Sequence, residues 1–214
     1  MPGSVKLGKY LDDQNIPRQI EGVALVDAAG EIIGTPASSL VIKTYTPGGL
    51  AVVSGQLTRP ADTNAYVQYD LIANSTTAAT ASSIMDAVRN TGEALRIEVV
   101  SLHTSNEAAK GKTFRVHLFS SQPTLTVNDN GVFNAGGAQT LAISGVGGYV
   151  GYVDVLLAQA GATGAVGNAA FSIPRTVKPS SANNIYFVLE QRDAAGYTPL
   201  SSEVLTVTIE GQWS

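Results

Sequence analysis

The chain has 214 residues, enough to bury a sizeable core, and at 44% hydrophobic and 14% charged it reads as a folded protein. Its net charge of −4 argues against a nucleic-acid partner, and the absence of cysteine excludes disulfides and thiolate metal sites. No apolar run approaches the ~18 residues of a membrane-spanning helix, and residues 1–6 lack the apolar centre of a signal peptide, so neither a membrane partner nor ordinary secretion is expected.

Residues 1–48 differ from the rest. Residues 6–18 have no clean period and contain Pro17. Gly22-Val-Ala-Leu-Val26 and Glu31-Ile-Ile33 then flank Asp27-Ala-Ala-Gly30, which predicts a short hairpin. Its apolar residues Val23, Leu25, Ile32 and Ile33 have little nearby to bury against, so this stretch is expected to act as an arm that docks on a partner chain. Burying four such side chains contributes about 6–10 kcal/mol gross, before ordering entropy takes most of it back. Extended, the arm reaches on the order of 150 Å, which spans between subunits. The alternative is a loose leader that orders on its own domain. Thr46-Pro-Gly-Gly49 reads as the hinge, and residues 49–214 as the main domain.

From Leu50 onward the chain reads as strands. Residues 50–58 come first, then a turn at 59–64, then 66–73 with Val67, Tyr69 and Leu71 on one face. Residues 74–83 form a polar loop, and 84–89 fit either a capped short helix or a strand. Residues 95–103 carry apolar side chains on both faces in their second half, as a central or covered strand does. In 113–119, Phe114, Val116 and Leu118 point inward and Arg115 and His117 outward. Shorter strands are predicted at 123–127, 139–144, 152–157 and 169–173, while 158–167 is a small-residue loop. Two further alternating runs, 185–191 and 203–210, put Ile185, Phe187, Leu189, Leu205, Val207 and Ile209 on core faces, and are expected to form a long-looped antiparallel pair. Nine or ten strands at this spacing, without a convincing helix or fixed repeat, predict an all-β fold: a single antiparallel β-sandwich of jelly-roll type with an N-terminal extended arm.

Catalytic signatures are scarce. His103 and His117 sit on runs that could be neighbouring strands and could in principle meet on one face, but a zinc site wants a third protein ligand and none accompanies them. Asn128-Asp-Asn-Gly131 lacks the further acidic ligands of a calcium loop and reads as a plain turn. Nucleophile elbows, Walker loops and dinucleotide fingerprints do not occur. Asp70, Glu98 and Asp154 lie on strand runs and would serve a glycosidase only if two of them opposed each other across a groove. Tyr45, Tyr149, Tyr152 and Tyr197 are candidates for a glycan platform, scattered along the chain. No catalytic residue, metal or cofactor is therefore expected, and the chain does not read as an enzyme.

Several ordered strings carry a likeness. Leu57-Thr-Arg-Pro-Ala-Asp-Thr-Asn-Ala-Tyr66 and Tyr69-Asp-Leu-Ile-Ala-Asn-Ser-Thr76 resemble the start of a family of tailed-bacteriophage and prophage virion structural proteins. Phe114-Arg-Val-His-Leu-Phe119, Gly148-Tyr-Val-Gly-Tyr-Val-Asp154, Ile185-Tyr-Phe-Val-Leu-Glu190 and Tyr197-Thr-Pro199 continue it over residues 50–210. The resemblance implies a β-sandwich virion component, a capsid decoration (cement) protein, and favours the strand reading of 84–89. It also implies the major capsid protein as partner and self-association as a homotrimer, because a local symmetry axis on a shell demands a closed oligomer. Two alternatives are a tail or baseplate component that recognises a glycan and a carbohydrate-active enzyme.

Overall fold

The computed structural model describes residues 10–11, 17–18, 49–135, 140–180 and 182–213. The chain divides into two units, Met1–Tyr45 and Thr46–Ser214. In the first, β1 (Tyr10–Leu11) pairs antiparallel with β2 (Pro17–Arg18), a short ladder that the absence of period in 6–18 did not announce. The hairpin expected from 22–33, with Val23, Leu25, Ile32 and Ile33, lies outside the described residues.

The second unit is built from β3 (Leu50–Thr58), β4 (Leu71–Ile72), β5 (Ser82–Ile84), β6 (Leu95–Thr104), β7 (Thr113–Phe119), β8 (Tyr149–Leu156), β9 (Gln159–Gly161), β10 (Gly164–Val177), β11 (Ile185–Gln191) and β12 (Val204–Trp213). One sheet has the order β3-β12-β6-β10-β9; the other is β4-β11-β7-β8, with β5 also on β11. Every pairing is antiparallel. The first main strand lies beside the last, β4 and β5 beside the last but one, β6 beside β10 and β7 beside β8. That is a long hairpin rolled into two sheets, the jelly roll, and the expected all-β sandwich is the fold observed.

The core follows from the alternation. Leu57, Ile97, Val100, Leu102, Leu205, Val207 and Ile209 from one sheet meet Phe114, Val116, Leu118, Val155, Ile185, Phe187 and Leu189 from the other, all buried. In β6 the phase changes. Ile97 and Val100 both point inward because Glu98 is bulged: β12 pairs Glu210 with Val99 and Gly211 with Ile97. This bulge, as well as the central position, accounts for the apolar residues that the sequence places on both faces. Gly211 is needed there, since an added Cβ would stand 1.9 Å from the Arg96 carbonyl oxygen.

Several expectations are corrected. The C-terminal runs do not pair: β11 and β12 belong to different sheets, and residues 192–203 cross between them. Residues 66–73 are mostly not strand. Tyr69 has φ 78°, Val67 is 61% exposed, and the buried residues are Tyr66, Asp70, Leu71, Ile72 and Ala73. After β5 the chain turns at Asp86, φ 51°, so 84–89 is neither helix nor strand beyond Ile84. Residues 123–127 and 140–144 make only isolated bridges, Leu125 with Ile143 and Asn134 with Leu141. The small-residue stretch 158–167 is a β9–β10 hairpin, held by backbone hydrogen bonds where side chains offer no packing.

Candidate functional site

Arg115 and His117 alternate away from the sandwich core, as expected, yet both are buried. The excursion between β7 and β8 folds back over this outer face, placing Phe133, Leu125, Leu141 and Ile143 in a second apolar cluster with Leu71, Phe119 and Val188. The covered polar groups must therefore satisfy one another. Arg115 grips Asp154 with Nε–Oδ1 at 2.6 Å and Nη2–Oδ2 at 2.8 Å, while its guanidinium lies 3.6 Å from the Tyr152 ring centre. His117 Nε2 is 2.8 Å from Glu190 Oε2, and Arg192 Nη1 is 2.6 Å from Glu190 Oε1. Tyr149 Oη completes the relay at 3.1 Å from His117 Nδ1. A cavity of ≈ 80 Å³ lies beside them, lined by Arg115, His117, Asn134, Leu141, Tyr149 and Tyr152.

A phenol, an imidazole and a carboxylate in line have the connectivity of a nucleophile–base–orienter relay. The electrostatics oppose that use. Burial pushes the Tyr149 hydroxyl up to about 12, away from the phenolate a nucleophile needs. Burial also lowers His117 below the ordinary histidine value despite Glu190, so it is neutral near pH 7. It then donates Nε2–H to Glu190 and accepts the Tyr149 O–H at Nδ1. For Glu190 burial acts upward, but the hydrogen bonds from His117 and Arg192 outweigh it and hold the carboxyl below its ordinary value. The arrangement is a closed network pinning the excursion to the sheet.

Two other buried clusters fasten loops. Asp129 accepts from Tyr66 Oη at 2.6 Å, Ala73 N at 2.7 Å and Arg59 Nη2 at 3.1 Å. The stretch 128–131 does turn, with Asn130 at φ 63°, but its aspartate is a buried anchor, which the plain-turn reading missed. Glu203 bonds to Thr104 and Tyr197 through their hydroxyls and accepts Leu200 N at 2.9 Å. Tyr197 is thereby interior and unavailable as a glycan platform. Tyr45 lies outside the described residues.

The paired candidates do not converge. His103 is exposed on β6 and His117 is buried on β7 in the other sheet, so they do not share a face. Asp70 accepts the Val67 N–H at 2.7 Å, Glu98 lies 3.7 Å from Arg96 and Asp154 is held by Arg115, each spent locally. Among the described residues no group of three or more His, Cys, Asp or Glu is arranged to hold a metal ion, and no helix is long and apolar enough to cross a membrane.

An open cleft lies between β8, the edge of its sheet, and β10. The two approach closely at one point, where a Cβ on Gly167 would stand 1.9 Å from the Leu156 carbonyl oxygen. Elsewhere the cleft opens to ≈ 630 Å³, lined by Val150, Tyr152 and Asp154 on one wall and Phe171, Ile173 and Arg175 on the other. A polar extension of ≈ 420 Å³ runs on past Ser120 and Gly148 to Lys178. No sequence signal marked it, because its far wall is a bulge: β6 pairs Val99 with Ala170 and Ile97 with Arg175, leaving 171–174 looped out.

No family model and no curated protein matches the chain, so the likeness to phage virion proteins rests on the quoted strings alone. Among solved structures, the chain is similar to one from Desmodium yellow mottle tymovirus at 11% sequence identity and a TM-score of 0.26, covering 84% of this chain and 95% of that one. The jelly-roll assignment stands on this chain's own strand register.

Proposed function

We propose that this protein is a non-enzymatic structural component of a virus particle, a decoration (cement) protein on the outer surface of a tailed-phage head. Its jelly roll is the scaffold. The arm, residues 1–48, and the open cleft are the working surfaces. The major capsid protein is the partner, and the protein self-associates as a homotrimer around a local symmetry axis of the shell.

The observation that carries the reading is the way ionisable groups are used. His117, Glu190, Arg59 and Asp129 are consumed in buried networks that fasten loops, and Asp154, the carboxylate on the cleft wall, is held by Arg115. That suits a rigid building block. Fold supports this by analogy, since jelly rolls recur in viral shells, and equally in lectins. The phage-like strings favour the shell reading. A cement protein binds a repeating lattice through many weak contacts made jointly, which needs neither disulfides nor a basic face.

A second reading, a glycan-binding tail component, has one observation in its favour. Tyr152 is 39% exposed beside Tyr149 on the covered sheet's margin. The experiment that separates the two is particle stability. Particles lacking this protein are expected to release DNA at lower temperature than complete ones; equal heat survival with reduced adsorption to host cells would favour the glycan reading.

A further inference from the structure

β8 is a bare strand edge. Among the described residues it pairs with β7 on one side and with no strand along the other. Its sequence, Tyr149-Val-Gly-Tyr-Val-Asp-Val-Leu156, contains neither the lysine nor the proline that proteins place on edges to block pairing. It carries one charge, Asp154, already held by Arg115. Beside it the looped-out stretch of β10 forms a second wall, with Phe171 Cε1 and Arg175 Nε each 3.9 Å from the point where a Cβ on Gly151 would sit. Ile173, 70% exposed, overhangs the gap. A cleft with a strand edge on one side and an apolar wall on the other is shaped for one added strand. A second β8 edge pairing directly would meet the bulge.

We infer that this cleft is a strand-addition site whose occupant is the segment 22–33 of a second copy of this chain. The segment has the composition the cleft asks for. Val23 and Leu25 alternate on one face of an extended strand, the one that would pair with β8, and Ile32 and Ile33 lie on the returning strand of the expected hairpin. Charge is complementary. Between residues 19 and 42 the chain holds Glu21, Asp27 and Glu31 and no Lys or Arg, whereas Arg175 and Lys178 line the cleft and its extension.

Reach is also sufficient. Leu50, where β3 begins, is opposite Gln212, which is opposite Arg96, which is opposite Thr176 at the cleft mouth. Three strand spacings make about 14 Å. Residues 34–48 can extend about 50 Å, enough to leave one copy at this end and enter the cleft of the next. A donor segment and an acceptor cleft on every copy make a head-to-tail contact, which closes into a ring when the rotation permits. The inference concerns self-association and stands whether or not the shell is the final destination.

The test uses full-length protein and exploits the absence of native cysteine. A copy carrying Leu25→Cys and a differently tagged copy carrying Ile173→Cys are mixed and mildly oxidised. A disulfide-linked heterodimer is expected, with no product when either cysteine is missing. Ile173→Asp, on an exposed side chain that folding does not need, is expected to convert the oligomer to monomer by light scattering while leaving the melting transition in place. Failure of the mixed copies to link, or linkage only when both cysteines lie on one chain, would overturn the proposal. So would an unchanged oligomer in the Ile173→Asp protein.

Discussion

His117 Nε2 and Glu190 Oε2 stand 2.8 Å apart beneath the excursion that covers β7 and β11, both sealed from water. The pair makes stability depend on pH in a stated direction. His117 is depressed below 6.5 in the folded protein, so below that pH the unfolded chain takes up a proton that the folded one resists. Glu190 is depressed below 4.5, so its contribution is complete above that value and is lost as pH falls through its folded value. Both signs agree: stability declines as pH falls below about 6.5 through His117 and declines further below about 4.5 through Glu190. Urea midpoints measured from pH 8 to 4 check this, and His117→Gln should remove the upper part of the slope.

Breaking the pair from the other side is costlier. Glu190→Ala leaves His117 and Arg192 facing a void, and the loss of one partner of a buried ionic network costs about 3–5 kcal/mol. Equilibrium denaturation would read this directly, and a change within about 0.5 kcal/mol would contradict the network's role.

Asp129 gives a parallel contrast inside one turn. Asp129→Ala strands Arg59, Tyr66 and the Ala73 amide and should cost about 3–5 kcal/mol. Asn130→Gly, one residue on, is expected to change stability by less than about 1 kcal/mol, since its φ of 63° already suits glycine. Thermal melts of the two variants distinguish an anchor from an ordinary turn.

The β6 bulge is testable through Gly211. Gly211→Ala drives a methyl into the Arg96 carbonyl and should destabilise by about 3 kcal/mol. Gly161→Ala, in the β9–β10 hairpin with open space around it, should stay within about 0.5 kcal/mol.

What could be read beforehand was local. Alternation placed Phe114, Val116 and Leu118, and Leu205, Val207 and Ile209, on the core side, because a strand's period of two depends only on the strand itself. Partnership did not follow from it. β11 and β12 alternate equally well, and nothing in either run records that 192–203 crosses the sandwich. Burial of Arg115 and His117 was hidden for a related reason: alternation gives the face, but the cover over that face is an excursion with almost no period. The cleft was the least legible feature, being formed by the edge of β8 against residues of β10 that loop out where its pairing with β6 shifts. For Val23, Leu25, Ile32 and Ile33, sequence remains the argument.

The arm assignment has its own test. Removing residues 1–48 is expected to leave a soluble protein with a cooperative melt, since the jelly roll's strands and core lie within 50–213, while capsid binding is lost. Undiminished capsid binding would contradict the arm's role.

The central claim, a decoration protein on a phage head, is tested most directly by locating the labelled protein on intact particles by electron microscopy. Label distributed over the shell at the spacing of its symmetry axes is the predicted result. Label confined to the tail tip, or absent from the particle, would contradict it.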